Sequence, residues 1–264
     1  MVEDIRMEES FVDVSKIVIR RISKVLAKEI IVKNHYTHKW TLCRIAYGVF
    51  YKKGQTFDFI DSDEELIGCV VYGQPVGRSA ASSLSDKLKI SNVFELTRLF
   101  IFDGYGKNIE SYVIAKTFKL LNLDFPEIKA IISYADGERG HTGRIYQATG
   151  FLYQGNSSLA LMPNYGISLT GPPNYKWIHS RTVNSIWGSH NVEFLKKAIG
   201  KTFFRKKESK KHRYIKFISP KKSENRLLEK SLKHPILPYP KSNIYEDEIE
   251  KVEVSSTEVC NDFF

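Results

Sequence analysis

The sequence predicts an α/β (α+β) fold: a mixed central sheet flanked by helices and followed by a basic C-terminal extension. Three observations carry that prediction. β-rich runs and helix-periodic segments alternate through the first 163 residues. Lys129 to Tyr134 (KAIISY) is a near-continuous apolar run of the kind buried on both faces of a sheet. Beyond Pro163 the texture turns first turn-rich and then strongly cationic.

The elements follow in order. Lys16 to Arg21 reads as a short strand, and Ser23 caps a helix that runs to about Asn34, with Val25, Leu26, Ile30 and Ile31 near helical spacing. Cys43 to Tyr51 and Leu66 to Tyr72 are β-rich and joined by a polar linker, which predicts a hairpin with a long loop. Phe94 to Phe102 is a further strand, ending at Asp103-Gly-Tyr-Gly106, and the clearest helix of the chain follows from about Asn108 to Leu121. After the break at Pro126 come the buried strand, a glycine-rich loop from Ala135 to Gly143, a short helix from Arg144 to Thr149 stopped by Gly150, and the strand Phe151 to Gln154. Farther on, Ser180 to Gly200 has room for two short helices, Arg213 to Ile218 for one strand, and Asn225 to Lys233 for a helix that enters the stiff segment His234-Pro-Ile-Leu-Pro-Tyr-Pro240. This order resembles the GCN5-related N-acetyltransferase fold.

The charge is unevenly placed. The chain carries 40 Lys plus Arg against 30 Asp plus Glu, a net +10; Lys176 to Lys241 holds 18 basic and 4 acidic residues, and Ser242 to Phe264 holds 1 and 7. We therefore expect a catalytic domain over 1–163, a basic extension over 164–241 packed on it, and an acidic, disordered tail over 242–264. A localised cationic block attracts polyanions by Coulomb attraction and counterion release. Lys206, Lys207, Lys210, Lys211, Arg213, Lys216, Lys221 and Lys222, with Tyr214 and Phe217 interleaved, suit phosphate contact; a merely solvated cationic face is the plainer alternative. Cys43, Cys69 and Cys260 have neither the pairing of a disulfide framework nor the spacing of a zinc site. No run approaches the roughly 18 to 20 apolar residues that span a bilayer, and the first residues are acidic, so a cytoplasmic protein without a membrane partner is expected.

Several residues are candidates for chemistry. In Asp103-Gly104-Tyr-Gly106-Lys107-Asn108, backbone N–H groups and a helix dipole can hold a phosphate; a tight turn that needs glycine is the plainer alternative. Asp136, just past the end of an apolar strand, sits where open sheets place ligands, although a lone loop aspartate is more often a turn residue. Tyr146 offers a phenol as proton donor, set against ordinary half-buried packing. Arg98 interrupts the apolar strand Phe94 to Phe102 together with Glu95, and their odd spacing places the two on opposite faces of a regular strand, leaving Arg98 seeking another anion. His35 and Tyr36, beside Thr37 and His38, offer an imidazole and a phenolate as metal donors, without the three or more convergent ligands a stable site needs.

With these residues in view, the chain resembles the Mom family of phage DNA-modification proteins. The resemblance runs through Asn34-His-Tyr-Thr-His38, Glu95-Leu-Thr-Arg98, Asn108-Ile-Glu-Ser111, Ser133-Tyr-Ala-Asp136, Gly140-His-Thr-Gly-Arg-Ile-Tyr-Gln147, Lys211-His-Arg-Tyr214 and Leu237-Pro-Tyr-Pro-Lys241. It implies an enzyme that converts adenine in double-stranded DNA to an N6-carbamoylmethyl derivative with an acetyl-CoA-derived group, protecting phage DNA from host restriction. It implies functional roles for Arg98, Ser111, Asp136 and Tyr146, a coenzyme A derivative held by Gly104, Gly106, Lys107, Asn108, Ser111 and Tyr146, and iron at His35 and Tyr36. An aromatic position among Tyr47, Tyr51 and Tyr72 is implicated too, and a homodimer stays open. Gly104 and Gly106 lack the Arg or Gln three positions earlier that a typical acetyltransferase phosphate loop carries. An acetyl methyl is no electrophile, so an oxidising metal centre would give His35 and Tyr36 a purpose. Because a paired adenine shields its amino group, such an enzyme must flip the base or act on exposed strand. The rivals are an N-acetyltransferase for a small amine or protein, and a non-enzymatic DNA-binding protein on a degenerate acetyltransferase scaffold.

Overall fold

The computed structural model describes residues 11–53, 64–77, 79–137, 140–156, 165–208, 211–241 and 248–254. The chain divides into two compact units: 1–135, 143–155 and 212–240 form the first, and 136–142, 156–211 and 241–264 the second.

The first unit is built on a seven-stranded mixed sheet. Its strands are β1 (Ile17–Ile22), β2 (Ile45–Lys52), β3 (Glu64–Gly73), β4 (Val93–Ile101), β5 (Ala130–Ala135), β6 (Leu152–Asn156) and β10 (His212–Phe217), in the order β1-β2-β3-β4-β5-β10-β6. Neighbours from β1 through β4 are antiparallel, β4 and β5 run parallel, and β10 is antiparallel to β5. Ser23 Oγ accepts from Leu26 N–H and starts α1 (Lys24–Asn34), as the sequence indicated. On one face, Ala27 and Ile31 of α1 pack on Ala46, Cys69 and Val71. On the other face, Ile109, Val113, Ile114 and Leu121 of α2 (Ile109–Asp124) pack on Tyr47, Val70, Tyr72 and Leu96. A mixed sheet flanked by helices is thus the fold class that the sequence predicts.

Two irregularities shape the site. The β3–β4 register jumps between Val71↔Arg98 and Tyr72↔Leu96, so Thr97 is an extra residue in β4, a β-bulge, and its hydroxyl donates to the Val71 carbonyl at 3.1 Å. The bulge resets the alternation: Phe94, Leu96, Leu99 and Ile101 join the cluster under α2, whereas Phe100 joins the cluster under α1. Glu95 and Arg98 therefore share a face, which corrects their expected separation. Second, β4 and β5 pair only over Val93–Glu95 and Ala130–Ile132, although β4 continues to Ile101 and β5 to Ala135. The sheet opens into a split there, where the carboxyl ends of parallel strands leave a crevice. Ser133 Oγ, donating to the Leu96 carbonyl at 3.2 Å, is the next link across it.

The second unit holds a four-stranded sheet, β11 (Ile249–Val252), β9 (Phe203–Lys207), β7 (Tyr165–Ser168) and β8 (Trp177–Ile178), in that order. Val183 of α4 (Ser180–Trp187) and Leu195 of α5 (Val192–Ile199) pack with Ile167, Phe203 and Val252. Both helices close on glycines in the left-handed region, Gly188 and Gly200.

This division differs from the expected one in two ways. The basic segment is not one extension: 165–208 lies in the second unit, whereas β10 and α6 (Lys222–Lys230) complete the first. Nor is the acidic tail disordered throughout. Ile249–Val252 pairs antiparallel with β9, Val252 is buried, and Glu250 accepts from Arg205 Nε at 2.6 Å. Positions 242–247 and 255–264 lie outside the described residues.

Candidate functional site

The split in the first unit gathers Tyr146, Ser133, Arg98, Glu95 and Tyr36. Tyr146 stands on α3 (Arg144–Ala148), a short helix whose N-cap, Gly143, has φ +79°. A Cβ at Gly143 would lie 2.4 Å from Cε2 of Tyr214, so only glycine lets α3 begin against that ring. The Tyr146 ring packs 5.3 Å from both Tyr214 and Phe151, and Gln147 Nε2 donates to the Tyr214 hydroxyl at 3.1 Å. Burial pushes the Tyr146 phenol up to about 12, Ser133 opposing through a hydrogen bond and Tyr36 and Glu95 adding to the rise. The group is a neutral donor at any physiological pH.

Arg98 is half-buried. Its Nε donates to the Lys39 carbonyl at 3.3 Å and its Nη1 to the Thr97 carbonyl at 2.6 Å, so backbone oxygens hold it. Burial depresses its basicity, while Tyr36, Glu95 and Tyr146 favour the charge. Its electrostatic coupling to Tyr36 and Tyr146 links the residues on either side of the split. Of the three tyrosines left open, Tyr72 is the one coupled to Tyr146; it is buried, with its hydroxyl 2.6 Å from Thr117. Tyr47 instead donates to Asp124 at 2.6 Å, and Tyr51 packs on Tyr105.

Three of the six cofactor candidates meet elsewhere in this unit, apart from Tyr146. Lys107, Asn108 and Ser111 line a groove of about 520 Å³ at the start of α2, together with Phe11, Val12 and Thr149. Asn108, at φ +67°, begins the helix without a side-chain cap, and Ser111 Oγ donates to the Asn108 carbonyl at 2.9 Å. Gly104 has open space around it, but Gly106 does not: a Cβ there would meet the Val12 backbone at 2.6 Å, and Val12 N–H donates to the Lys107 carbonyl. The second glycine therefore admits a chain crossing rather than an open phosphate cradle.

His35 and Tyr36 are neighbours in the fold as well as in sequence. Their rings stack with centroids 4.2 Å apart, and His35 Nδ1 accepts from the Thr37 N–H at 3.2 Å and lies 2.9 Å from the Thr37 hydroxyl. Among the described residues no group of three His, Cys, Asp or Glu side chains is arranged to hold an ion.

The second unit carries Asp136, Lys206, Lys207 and Lys211. Asp136 follows Ala135 of β5 in the chain; its carbonyl accepts from His141 N–H, and Lys211 Nζ lies 3.8 Å from its carboxylate. Lys206 Nζ sits 4.9 Å over the Trp177 ring, which stacks on Tyr175. Lys207 and Lys211 are exposed, and Lys210 lies outside the described residues. In the first unit Lys221 and Lys222 are exposed at the start of α6. The rest of the cationic run departs from expectation because β10 is an interior strand. Arg213, Tyr214 and Phe217 are buried, and Lys216 donates to the Gly150 carbonyl at 2.9 Å. Ser133 and Tyr214 were missed as site residues. A serine inside KAIISY was the available signal for the first, since a polar group in a buried strand needs a partner; nothing local marks Tyr214. Among the described residues no helix is long and apolar enough to cross a membrane.

Comparison with known proteins follows this geometry. A relative is the methylcarbamoylase mom of Escherichia phage Mu, 26% identical over 225 residues that cover 84% of this chain and 83% of that protein. Among solved structures, a dodecameric spermidine N-acetyltransferase from Vibrio cholerae aligns at TM-score 0.41 and 11% identity, over 80% of this chain and 98% of that one. An acetyltransferase of the GNAT family from Bacillus anthracis aligns at TM-score 0.37 and 11% identity, over 78% and 98%. Residues 16–241 match the Mom protein family. Since that match takes in every strand from β1 to β10 and the proline-rich segment after α6, the chain belongs to the Mom protein family.

Proposed function

We propose that the protein converts adenine in double-stranded DNA to its N6-carbamoylmethyl derivative with an acetyl-CoA-derived group: the new bond from the amino nitrogen to the acetyl methyl carbon removes two hydrogens, which a two-electron oxidant takes up, and an ammonia nitrogen displaces coenzyme A thiol at the carbonyl. The observation that carries this reading is the family match over residues 16–241, with a relative named for methylcarbamoylase activity. The groove at the start of α2 supports the cofactor half: an uncapped helix N-terminus with Lys107 beside it offers N–H groups and charge to a phosphate. The exposed lysines of the second unit support the DNA half.

Tyr146 holds a proton at the edge of the split for a thioester or its leaving sulfur, and Ser111 contacts the cofactor. Arg98 fixes an anionic group, its charge kept by the carbonyls of Lys39 and Thr97. Asp136 accepts from or orients the adenine amino group. The target base must leave the stack for this, at a cost of about a few kcal/mol. The test is mass spectrometry of nucleosides from DNA co-expressed with the protein. A deoxyadenosine heavier by the carbamoylmethyl group is expected. Unmodified deoxyadenosine together with acetylation of another amine would instead identify a plain N-acetyltransferase.

A further inference from the structure

Arg213 is the least satisfied charge among the described residues. It is 6% exposed, its Nη2 donates to Ser83 Oγ at 2.7 Å, and its buried Nε has no partner. No carboxylate of the described residues stands within salt-bridge distance, and Tyr134, opposite it in the β5–β10 register, is a phenol held neutral by burial. Burial depresses the guanidinium's basicity. Buried arginines are ordinarily paired, because an uncompensated buried charge is among the costliest arrangements in a fold.

Its position explains what it is for. On this face of the sheet, β4 presents Val93 and then Glu95, β5 presents Ala130, Ile132 and then Tyr134, and β10 presents Phe217, Ile215 and then Arg213. Apolar rows covered by Ala80, Ala81, Leu84 and Leu88 thus give way to a polar row at the carboxyl ends of β4 and β5, where the sheet opens. Glu95, Tyr134 and Ser83 are only partly buried, and Arg213 is bonded to Ser83 and faces Tyr134 across the β5–β10 pair. A planar fork with an unused N–H donor, bonded to a part-exposed hydroxyl near the strand ends, suits a phosphate oxyanion.

We propose that Arg213, with Ser83, binds a phosphate group of the substrate or cofactor at the open end of the β4–β5 split. This site deepens the DNA-modification reading and rests on it for the ligand's identity, since a DNA phosphodiester and a coenzyme A phosphate share the chemistry. Binding is measured on the full chain, without turnover. Inorganic phosphate, against chloride at equal ionic strength, should raise the melting temperature of the wild type and not of Arg213→Met. Without phosphate, Arg213→Met should melt at or above the wild-type temperature, because it removes an unpaired buried charge. Ser83→Ala, which leaves the guanidinium in place, should weaken the phosphate-induced shift. An adenine-containing oligonucleotide and coenzyme A are then titrated separately: a loss of about tenfold or more in affinity for either one in Arg213→Met names the source. The proposal is overturned if Arg213→Met melts well below the wild type, if Ser83→Ala keeps the full phosphate shift, or if both ligands bind undiminished. Phosphate binding that persists in a protein yielding no modified nucleoside would leave the site standing and sink the functional reading.

Discussion

Replacing Tyr146 by phenylalanine separates chemistry from packing at the split. The ring keeps its contacts with Tyr214 and Phe151, and the one group lost is a hydroxyl hydrogen-bonded to Ser133. A net hydrogen bond is worth about 1 kcal/mol, which moves the melting temperature of a domain of this size by about 2–4 °C. A positioned proton donor contributes about 10²–10⁴ in rate. Tyr146→Phe should therefore melt within a few degrees of the wild type while its initial rate of deoxyadenosine modification, followed by nucleoside mass spectrometry, falls by about 100-fold or more. Titration adds a second check. A phenol pushed up to about 12 stays protonated below about pH 11, so Tyr146 should impose no alkaline loss of rate in the usual assay range. Its raised value also has a stability consequence: the unfolded chain ionises first, near the ordinary 10.0, so the contribution is complete below that pH and is lost as pH rises toward 12. A variant within about threefold of wild-type rate would refute a proton-donating Tyr146, as would a rate that falls with an apparent pKa near 10 absent from Tyr146→Phe.

Further outcomes follow from the same geometry. Glu250→Gln frees Arg205 on β9 and should tighten DNA binding at low salt with little change in melting temperature, since an exposed ion pair contributes about 0–1 kcal/mol; unchanged anisotropy titrations would leave β11 with no part in masking the cationic strand. Gly143→Ala meets both the φ of +79° and the Tyr214 ring at 2.4 Å, and should cost about 2–4 kcal/mol in chemical denaturation; a cost below about 1 kcal/mol would mean that α3 can start without that close approach. Lys216→Met removes a half-buried ammonium bonded to the Gly150 carbonyl from an interior strand, so it should leave the salt dependence of DNA binding unchanged; a shallower slope would place Lys216 on the DNA.

The fold was legible where local signals agree with tertiary ones. Ser23 announced α1, the run Lys129–Tyr134 announced β5, and the expected pair of helices after Ser180 is present. It was illegible where non-local pairing decides. A bulge at Thr97 depends on how β3 pairs with β4, so an i, i+3 spacing read as opposite faces becomes a shared face. Charge density marked Arg213 and Lys216 for the surface, yet their strand is laid against β5 from about 80 residues away in the chain, and the apolar neighbours Tyr214, Ile215 and Phe217 decide its burial. The acidic tail contains a strand because β9 offers an edge and Arg205 a partner, neither visible in composition. At the site, motif residues such as Arg98 and Tyr146 were recognisable one by one, whereas the contacts that tune them, through Ser133 and Tyr214, belong to the folded sheet alone.

The central claim is that this protein joins an acetyl-CoA-derived carbon to the adenine amino group. It is tested most directly by incubating the purified protein with DNA, an ammonia source, an oxidant and acetyl-CoA isotopically labelled in the acetyl group, then analysing nucleosides by mass. The account predicts a carbamoylmethylated deoxyadenosine that carries the label in the wild type and is lost in Asp136→Asn and Tyr146→Phe. A modified adenine without label, or label found only as acetyl on some other amine, would contradict it.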